Sequence, residues 1–582
     1  MRLDLEEEGD PDPDGEGLLD YTPGFALRDY QLKCLEDIEA GWKECSRQLV
    51  DMPTGSGKST VFAALAKQNH KRGGKTLILA HRDKLVRQAA GRIEKETGIS
   101  VDIEMADEYA STEAPIVVGS IQTLCSETRL LGFNPSHFSL VVADECHHSI
   151  SPSWTRVLSY FHFGDRSLDD GWVAPAPGDP YKPLARILGV TATPTLAGRR
   201  QLGEFYQRVA FSYSITEAVR DGWLVPLVMK SMPLEIDLRG LRPSRTPNGS
   251  DFTDGQLSQR LVPVIEALAK QICLMAPDRK TIAFVPSIEC AELLADAVNR
   301  NGLKGIFVSG QTEHGDDTRT RDFIASGPGT VLANCALYTE GADFPDVNCI
   351  VFGRCTKSEA FYRQMGGRGT RVLPGIVDGV ATPEERRALI ALSAKKDLLL
   401  LDPLWLHDRM EIMSPYNLVT SRPEVAKRMA EIGGQDLMAL EAQATRDFIS
   451  ALTREAKRQK NKAAAVLNPL EWAVDLGDEK LAVYEPQTAF DARAPTAGQL
   501  DFLRRQKFDV DKITSFGMAS ALIGRIMGRY RHHLCTPKQL HFLAQLGFKP
   551  EETTNMTEVQ ASAAIDARLK DKKAREAARR GG

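Results

Sequence analysis

The chain has no pair of cysteines at C-x-x-C spacing; its ten cysteines are scattered over 582 residues. That excludes a zinc ribbon and a disulfide framework, and it suits a reducing compartment. Long apolar runs are also missing. None reaches the ~18 residues that a bilayer-spanning helix needs, and the N-terminus is acidic where a secretory leader would be basic and then apolar. These absences predict an intracellular, cytoplasmic protein with no membrane partner. A strong charge of one sign is lacking too, at a net −5. The net charge alone does not suggest a nucleic-acid binder, so the distribution carries the information. Residues 4–20 hold nine acidic side chains and read as a disordered acidic arm spanning residues 1–20. Arg454 to Lys462 and Arg568 to Arg580 are basic, which suits either a solvated face or phosphate contacts.

One stretch organises what is present: Met52-Pro-Thr-Gly-Ser-Gly-Lys-Ser-Thr60. A strand-like run, Leu49-Val50, precedes it, and a helical run from Ser59 to about Lys67 follows. A strand, a Gly-rich turn and a helix N-terminus make a phosphate cradle, because turn N–H groups and the positive end of the helix dipole face the anion. Lys58 is placed to reach the β- and γ-phosphates, and the Ser59 hydroxyl to ligate Mg²⁺. The general pattern wants Gly at position 52, where this chain has Met.

Short apolar runs then alternate with helical stretches: Thr76–Ala80, Ile116–Val118, Leu140–Ala143 and Ile187–Val190. That alternation predicts a parallel sheet with helices on both faces, its chemistry beyond the C-terminal strand ends. Two acids follow the third run, in Asp144-Glu145-Cys146-His147-His148. A carboxylate there can hold Mg²⁺, and its neighbour can orient or deprotonate a water. A second alternating region runs through Thr281–Val285, Gly305–Val308, Val331–Ala333, Cys349–Phe352 and Leu398–Leu401. It has no cradle of its own. It contains Gln364-Met-Gly-Gly-Arg-Gly-Thr-Arg371, whose helical spacing predicts Arg368 and Arg371 on one face. Their guanidinium forks suit the charge of a phosphoryl-transfer transition state.

In this order the motifs resemble those of superfamily 2 helicases. PTGSGKS, DECHH and Thr191-Ala-Thr-Pro194 resemble motifs I, II and III. Leu79–Val86 resembles motif Ia, Gly119–Leu124 motif Ib, Thr339–Pro345 motif V and Gln364–Arg371 motif VI. Leu27-Arg-Asp-Tyr-Gln31 resembles the adenine-reading Q motif, with Asp29 where Pro is usual. Asp221–Pro226 and the motif V to VI arrangement resemble the branch of restriction-enzyme motor subunits and bacterial and phage DNA repair helicases. The resemblance spans residues 26 to about 402. It implies two tandem RecA-like α/β domains with parallel sheets, using ATP and Mg²⁺ on DNA rather than RNA. Lys58, Glu145, Gln364, Arg368 and Arg371 would be catalytic, with Ser59 and Asp144 on the metal. Arg28, Gln31, Thr54, Gly55, Ser56, Gly57, Lys58, Ser59, Thr60, Gly341 and Asp343 would surround the nucleotide. Thr191 and Thr193 would couple hydrolysis to movement. Arg82, Gln122, Thr123, Gln311 and Thr339 would line the nucleic-acid track. The motifs do not separate DNA from RNA, so an RNA helicase stays an alternative. So does a motor or ATP-switched subunit of a larger restriction, repair or defence complex.

The expected layout is an arm (1–20), a first RecA-like domain (21–228), a linker with a short helix (229–262), a second RecA-like domain (263–405), a helical extension (406–495) and a two-copy helical module with a basic tail (496–582). The copies begin at Thr496-Ala-Gly-Gln-Leu-Asp-Phe-Leu503 and Thr536-Pro-Lys-Gln-Leu-His-Phe-Leu543. Each Thr is placed as a helix N-cap, and such a repeat could dock a protein partner or nucleic acid.

Overall fold

A computed structural model describes residues 27–81, 83–168, 181–192, 202–246, 249–308, 313–335, 344–407, 412–458, 466–486, 488 and 490–580. Two parallel sheets form its frame. The first contains β1 (Arg47–Asp51), β2 (Thr76–Ala80), β3 (Val101–Glu104), β4 (Ile116–Ser120), β5 (Leu140–Asp144), β6 (Arg186–Thr191) and β7 (Arg208–Ser212). Their order is β3-β4-β2-β5-β6-β1-β7. Central strands β1, β2 and β4 are buried along their whole length; β2 and β4 are the apolar runs expected of strands covered by helices on both faces, whereas β1 also buries Arg47, Gln48 and Asp51. The register sets Asp51 beside Thr191 and Asp144 beside Val190. The segments carrying motifs I, II and III therefore leave the sheet at one edge.

The second sheet is built from β8 (Leu227–Asp237), β11 (Thr281–Phe284), β12 (Lys304–Val308), β13 (Thr330–Asn334), β14 (Cys349–Phe352) and β15 (Leu398–Leu406), and a small hairpin pairs β9 (Ser244–Thr246) with β10 (Gly249–Asp251). The sheet order is β12-β13-β11-β14-β15-β8. This corrects the reading of residues 229–262 as a linker. Their first part is an edge strand of the second sheet, parallel to β15, and Asp254–Leu261 is a helix. The strand alternates buried Met232, Leu234 and Ile236 with exposed Ser231, Pro233 and Glu235. The edge position tolerates Pro233, which donates no ladder hydrogen bond, and that proline masks the strand pattern in the sequence.

The helical extension also divides differently from expectation. Its first helices, Tyr416–Val419, Pro423–Ile432 and Leu437–Arg458, join the motor core through Leu418, Val425, Met429 and Leu440. Its later part, from Leu467, belongs to the C-terminal module: Leu467, Trp472 and Leu481 share one cluster with Leu503, Phe508, Leu522, Leu540 and Leu543. Trp472 is fully buried and meets the Phe508 ring edge-on at 5.2 Å. Trp472→Ala should therefore cost about 3–5 kcal/mol of that module's stability. Calorimetry should show one transition moving down while the motor transition stays; a single unmoved transition would refute the boundary. The repeat itself is visible in hydrogen bonds. Thr496 and Thr536 each cap their helix in a reciprocal box with Gln499 and Gln539. The same glutamines reach Ser520 and Ser562 on the following helices, both at 2.9 Å.

Residues 478–488 also touch the first domain. Lys480 pairs with Glu217 at 2.6 Å, and the Thr488 hydroxyl donates to the Gln207 carbonyl at 3.1 Å. Among the described residues no helix is long and apolar enough to cross a membrane. The acidic arm, residues 1–20, lies outside the described residues.

Candidate active site

The cradle turns on two glycines in the left-handed region, Gly55 at φ 86° and Gly57 at φ 79°. Gly57 caps the helix Lys58–Lys71. A Cβ on Gly57 would lie 2.5 Å from Gln31 Nε2, so the turn admits no side chain there. Met52, the departure from the P-loop pattern, is fully buried, and its N–H donates to the Thr191 carbonyl at 3.0 Å. Its side chain fills the core, and only its backbone serves the loop, which is why a Gly is dispensable at this position.

The helix Asp29–Gly41 holds the cradle from behind. Tyr30 donates its hydroxyl to the Ser56 carbonyl at 2.5 Å, and Gln31 Nε2 donates to the same carbonyl at 3.1 Å and to Gly57 at 3.4 Å. Gln31 Oε1 accepts from the Arg28 N–H at 3.0 Å. The Gln31 amide, expected at an adenine edge, is thus buried and engaged with the P-loop backbone. Tyr30 was missed in the sequence, since nothing there distinguishes it from a core tyrosine. It stacks on Tyr213 with centroids 4.4 Å apart. The Arg28 guanidinium lies 4.4 Å above Trp223, and Arg386 of the second domain lies 4.0 Å from the same ring. Thr60, expected at the nucleotide, turns its hydroxyl to Glu96 and Arg92 at 3.4 and 3.0 Å.

Motif II closes β5. Glu145 takes φ 48°, a strained value for a non-glycine residue, and caps the short 3₁₀ turn Cys146–His148. That turn brings its carboxylate 3.8 Å from Lys58 Nζ and 3.4 Å from His147 Nδ1. His147 in turn lies 3.5 Å from the Thr191 hydroxyl, which joins motif II to motif III. Burial raises the Glu145 pKa, but Lys58, His147 and Arg368 outweigh it and bring it down to about 2. The opposing causes matter: the carboxylate is desolvated and still ionised. Ser59 lies in the first turn of the helix that follows β1, and Asp144 ends β5, with β6 between those two strands. Their hydroxyl and carboxylate are hard oxygen donors of the kind Mg²⁺ prefers.

The second domain supplies motif VI. Its helix, Glu359–Gly367, contains buried Gln364 and is capped by Ser358. The helix stops at Gly367; Arg368 is its C-cap, and Arg371 lies in an antiparallel bridge with Leu224. The expectation that both arginines share one helical face is therefore corrected. Gly366, Gly367 and Gly369 weaken the helix there, and pairing with residues 224–225 takes over. The Val225 N–H donates to the Thr370 carbonyl at 2.9 Å, and the Thr370 hydroxyl donates to the Thr54 carbonyl at 3.3 Å. A Cβ on Gly55 would lie 2.8 Å from Arg371 Cγ, and one on Gly367 would lie 2.9 Å from Thr54 Cβ. Motif VI is packed directly on the phosphate cradle.

Two of the expected nucleic-acid residues are among the described ones. Gln122 and Thr123 lie on the turn Ile121–Leu124 after β4, and the Thr123 hydroxyl accepts the Ala106 N–H at 3.1 Å. Arg82, Thr193, Gln311, Thr339, Gly341 and Asp343 lie outside the described residues.

Comparison with known proteins agrees with this arrangement. Residues 24–196 match the family model "Type III restriction enzyme, res subunit", and residues 263–372 match "Helicase conserved C-terminal domain". The chain is 27% identical over 364 residues to a Saccharomyces cerevisiae protein named as the ATP-dependent helicase IRC3, covering 60% of this chain and 49% of that one. It is 25% identical over 393 residues to the type I restriction enzyme EcoAI endonuclease subunit of Escherichia coli, covering 61% and 45%. The chain spans about half the length of the curated relatives it matches. The solved structure of the ATP-dependent type ISP restriction-modification enzyme LlaBIII bound to DNA shares its fold at a TM-score of 0.52 and 14% identity, over 90% of this chain and 38% of that one. The chain thus carries the paired domains of a superfamily 2 helicase, similar to those of restriction-enzyme motor subunits.

Proposed function

We propose that this chain hydrolyses ATP to move along DNA. The observation that carries the reading is the meeting of motif VI with the phosphate cradle, beside an ionised Glu145. A site split between two domains can link bond cleavage to domain movement, because closure completes it and opening breaks it. Mg²⁺, held by Ser59 and Asp144, would neutralise charge on the β- and γ-phosphate oxygens. Lys58 binds the phosphates, Glu145 orients the attacking water and takes its proton, and Arg368 and Arg371 spread the charge that develops on the γ-phosphoryl group. His147 and Thr191 tie the position of Glu145 to the end of β6. Arg82, Gln122, Thr123, Gln311 and Thr339 are assigned to the strand by the motif resemblance and would contact phosphates rather than bases, so binding is expected to be weakly sequence-specific and salt-sensitive.

DNA is favoured over RNA by the family branch. A role as one motor of a larger restriction, repair or defence machine is the second reading, favoured by the match to the EcoAI subunit. In it the C-terminal repeat module holds the partner. Either role places the chain inside the cell, with the cytoplasm as the expected compartment.

The test is ATP hydrolysis with Mg²⁺, alone and with single-stranded DNA, duplex DNA and single-stranded RNA. Stimulation by DNA above RNA is the expected result. Stimulation by RNA alone would move the substrate to RNA, and indifference to all three would refute an autonomous motor.

A further inference from the structure

Motif II carries one more imidazole than the site above employs. The His148 ring stacks on His81, with centroids 4.8 Å apart and planes at 24°, and it also lies 4.1 Å from the His147 ring. The topology accounts for the meeting. β2 and β5 are parallel neighbours with Leu79 opposite Ala143, so the segments that leave them, beginning at His81 and near Glu145, emerge side by side. The outcome is a continuous row, His81, His148, His147 and Glu145, whose last link is 3.4 Å. All three rings are half-buried. His81 immediately precedes Arg82, the residue assigned above to the nucleic-acid strand.

Glu145, His147 and His148 move as one piece, because Glu145 caps the 3₁₀ turn that both histidines occupy. The turn is closed by the Ser149 N–H donating to the Cys146 carbonyl at 2.9 Å, and Cys146 is fully buried. A displacement of the His81 ring must therefore be taken up by His148, since stacked rings in a packed setting cannot interpenetrate. The turn would pass that displacement to the Glu145 carboxylate, altering its approach to Lys58 and to the attacking water. Coupling of this kind needs a contiguous physical connection between two sites, and this row is one.

We propose that His81 and His148 are positioning residues that report strand occupancy after β2 to the Glu145 carboxylate, so that bound nucleic acid raises the rate of ATP cleavage. The inference rests on the motor reading above and adds residues to which that reading gives no task. Their proposed role is not contact with ATP or the reacting atoms; they act through Glu145.

The experiment compares His81→Ala, His148→Ala, the double variant and His148→Phe with the unaltered chain, after circular dichroism has shown that each is folded. Initial rates are taken against ATP concentration with and without single-stranded DNA. Each alanine variant is expected to lose about ten-fold in DNA-stimulated kcat, with KM for ATP within about two-fold. The double variant should be no worse than either single one, since both break the same connection. His148→Phe, which restores a flat ring, should recover most of the stimulation. Full stimulation in His148→Ala, losses that multiply in the double variant, or a phenylalanine variant as impaired as alanine would each overturn the proposal. An unaltered chain that hydrolyses ATP but ignores DNA would overturn the motor reading, and the relay with it, and is recognised before any variant is made.

Discussion

Glu145→Gln is expected to keep ATP binding near its original affinity and to lose turnover by about 10²–10⁴-fold, the range for removal of a positioned general base. The substitution is nearly isosteric, so the 3₁₀ turn and its neighbours should stay in place. What it removes is the charge that Lys58 and His147 face at 3.8 and 3.4 Å. Equilibrium binding of a fluorescent ATP analogue would read affinity, and single-turnover phosphate release would read the chemistry. Turnover within about ten-fold of the unaltered chain would remove Glu145 from the role of base.

The pH profile follows from the same carboxylate. Its pKa is held down to about 2. A depressed carboxyl protonates only as pH falls toward that value, so Glu145 stays ionised from about pH 5 to about pH 9, and no loss of activity in that window should trace to its protonation. A carboxylate with so low a pKa is a weak base. The structure also supplies the remedy. The charge of Lys58 is one of the influences that lower it, beside His147 and Arg368, and Lys58 is the residue that ATP phosphates would draw away. Its departure raises the basicity of Glu145 at the moment a water must be deprotonated. In the ATP-free Lys58→Ala variant the Glu145 carboxyl is expected to titrate at higher pH than in the unaltered chain, read by infrared difference spectroscopy of the carboxyl band; coincident titrations would argue against this coupling.

How far the sequence discloses this site depends on where the information is stored. The cradle, the acid pair and the motif order are local patterns, and the strand ends that carry them are adjacent because a parallel sheet collects its C-terminal ends along one edge. Three features escaped local reading. Strand β8 is an edge strand, broken in appearance by Pro233 and Glu235, and its pairing with β15 is a contact across most of the second domain. Arg371 has helical spacing from Arg368, but glycines on both sides of Arg368 let the chain leave the helix for a bridge with Leu224. The boundary at residue 496 follows the repeat, whereas the true core begins at Leu467, because Trp472 needs the repeat helices to cover it. In each case a tertiary contact overrode a local signal. Tyr30 and His148 are a fourth kind: the sequence assigns neither a task, although His148 lies within the motif II run, and only the neighbours that the sheet brings to them give them one.

Arg371→Ala is expected to reduce turnover by about 10³–10⁵-fold, the range associated with loss of an arginine that stabilises phosphoryl-transfer charge. KM for ATP should change far less, because the interaction strengthens as charge develops. Arg371→Lys should not restore the rate, since a point-charge ammonium lacks the planar fork that can address two phosphate oxygens together. The position of Arg371 is set by backbone rather than by its own side chain. The bridge to Leu224 and the hydrogen bond from Val225 to Thr370 fix its Cα against the first domain. Gly55 must then stay bare: a methyl there would lie 2.8 Å from Arg371 Cγ and 3.3 Å from Leu224 Cδ2, at a backbone φ of 86°. Gly55→Ala should therefore imitate Arg371→Ala in kcat while leaving the guanidinium present, because the methyl pushes it from its seat. If Gly55→Ala turns over at the original rate while Arg371→Ala does not, the arginine reaches its working position from some other arrangement of the two domains, and the contact between motif VI and the cradle is not the one that cleaves ATP.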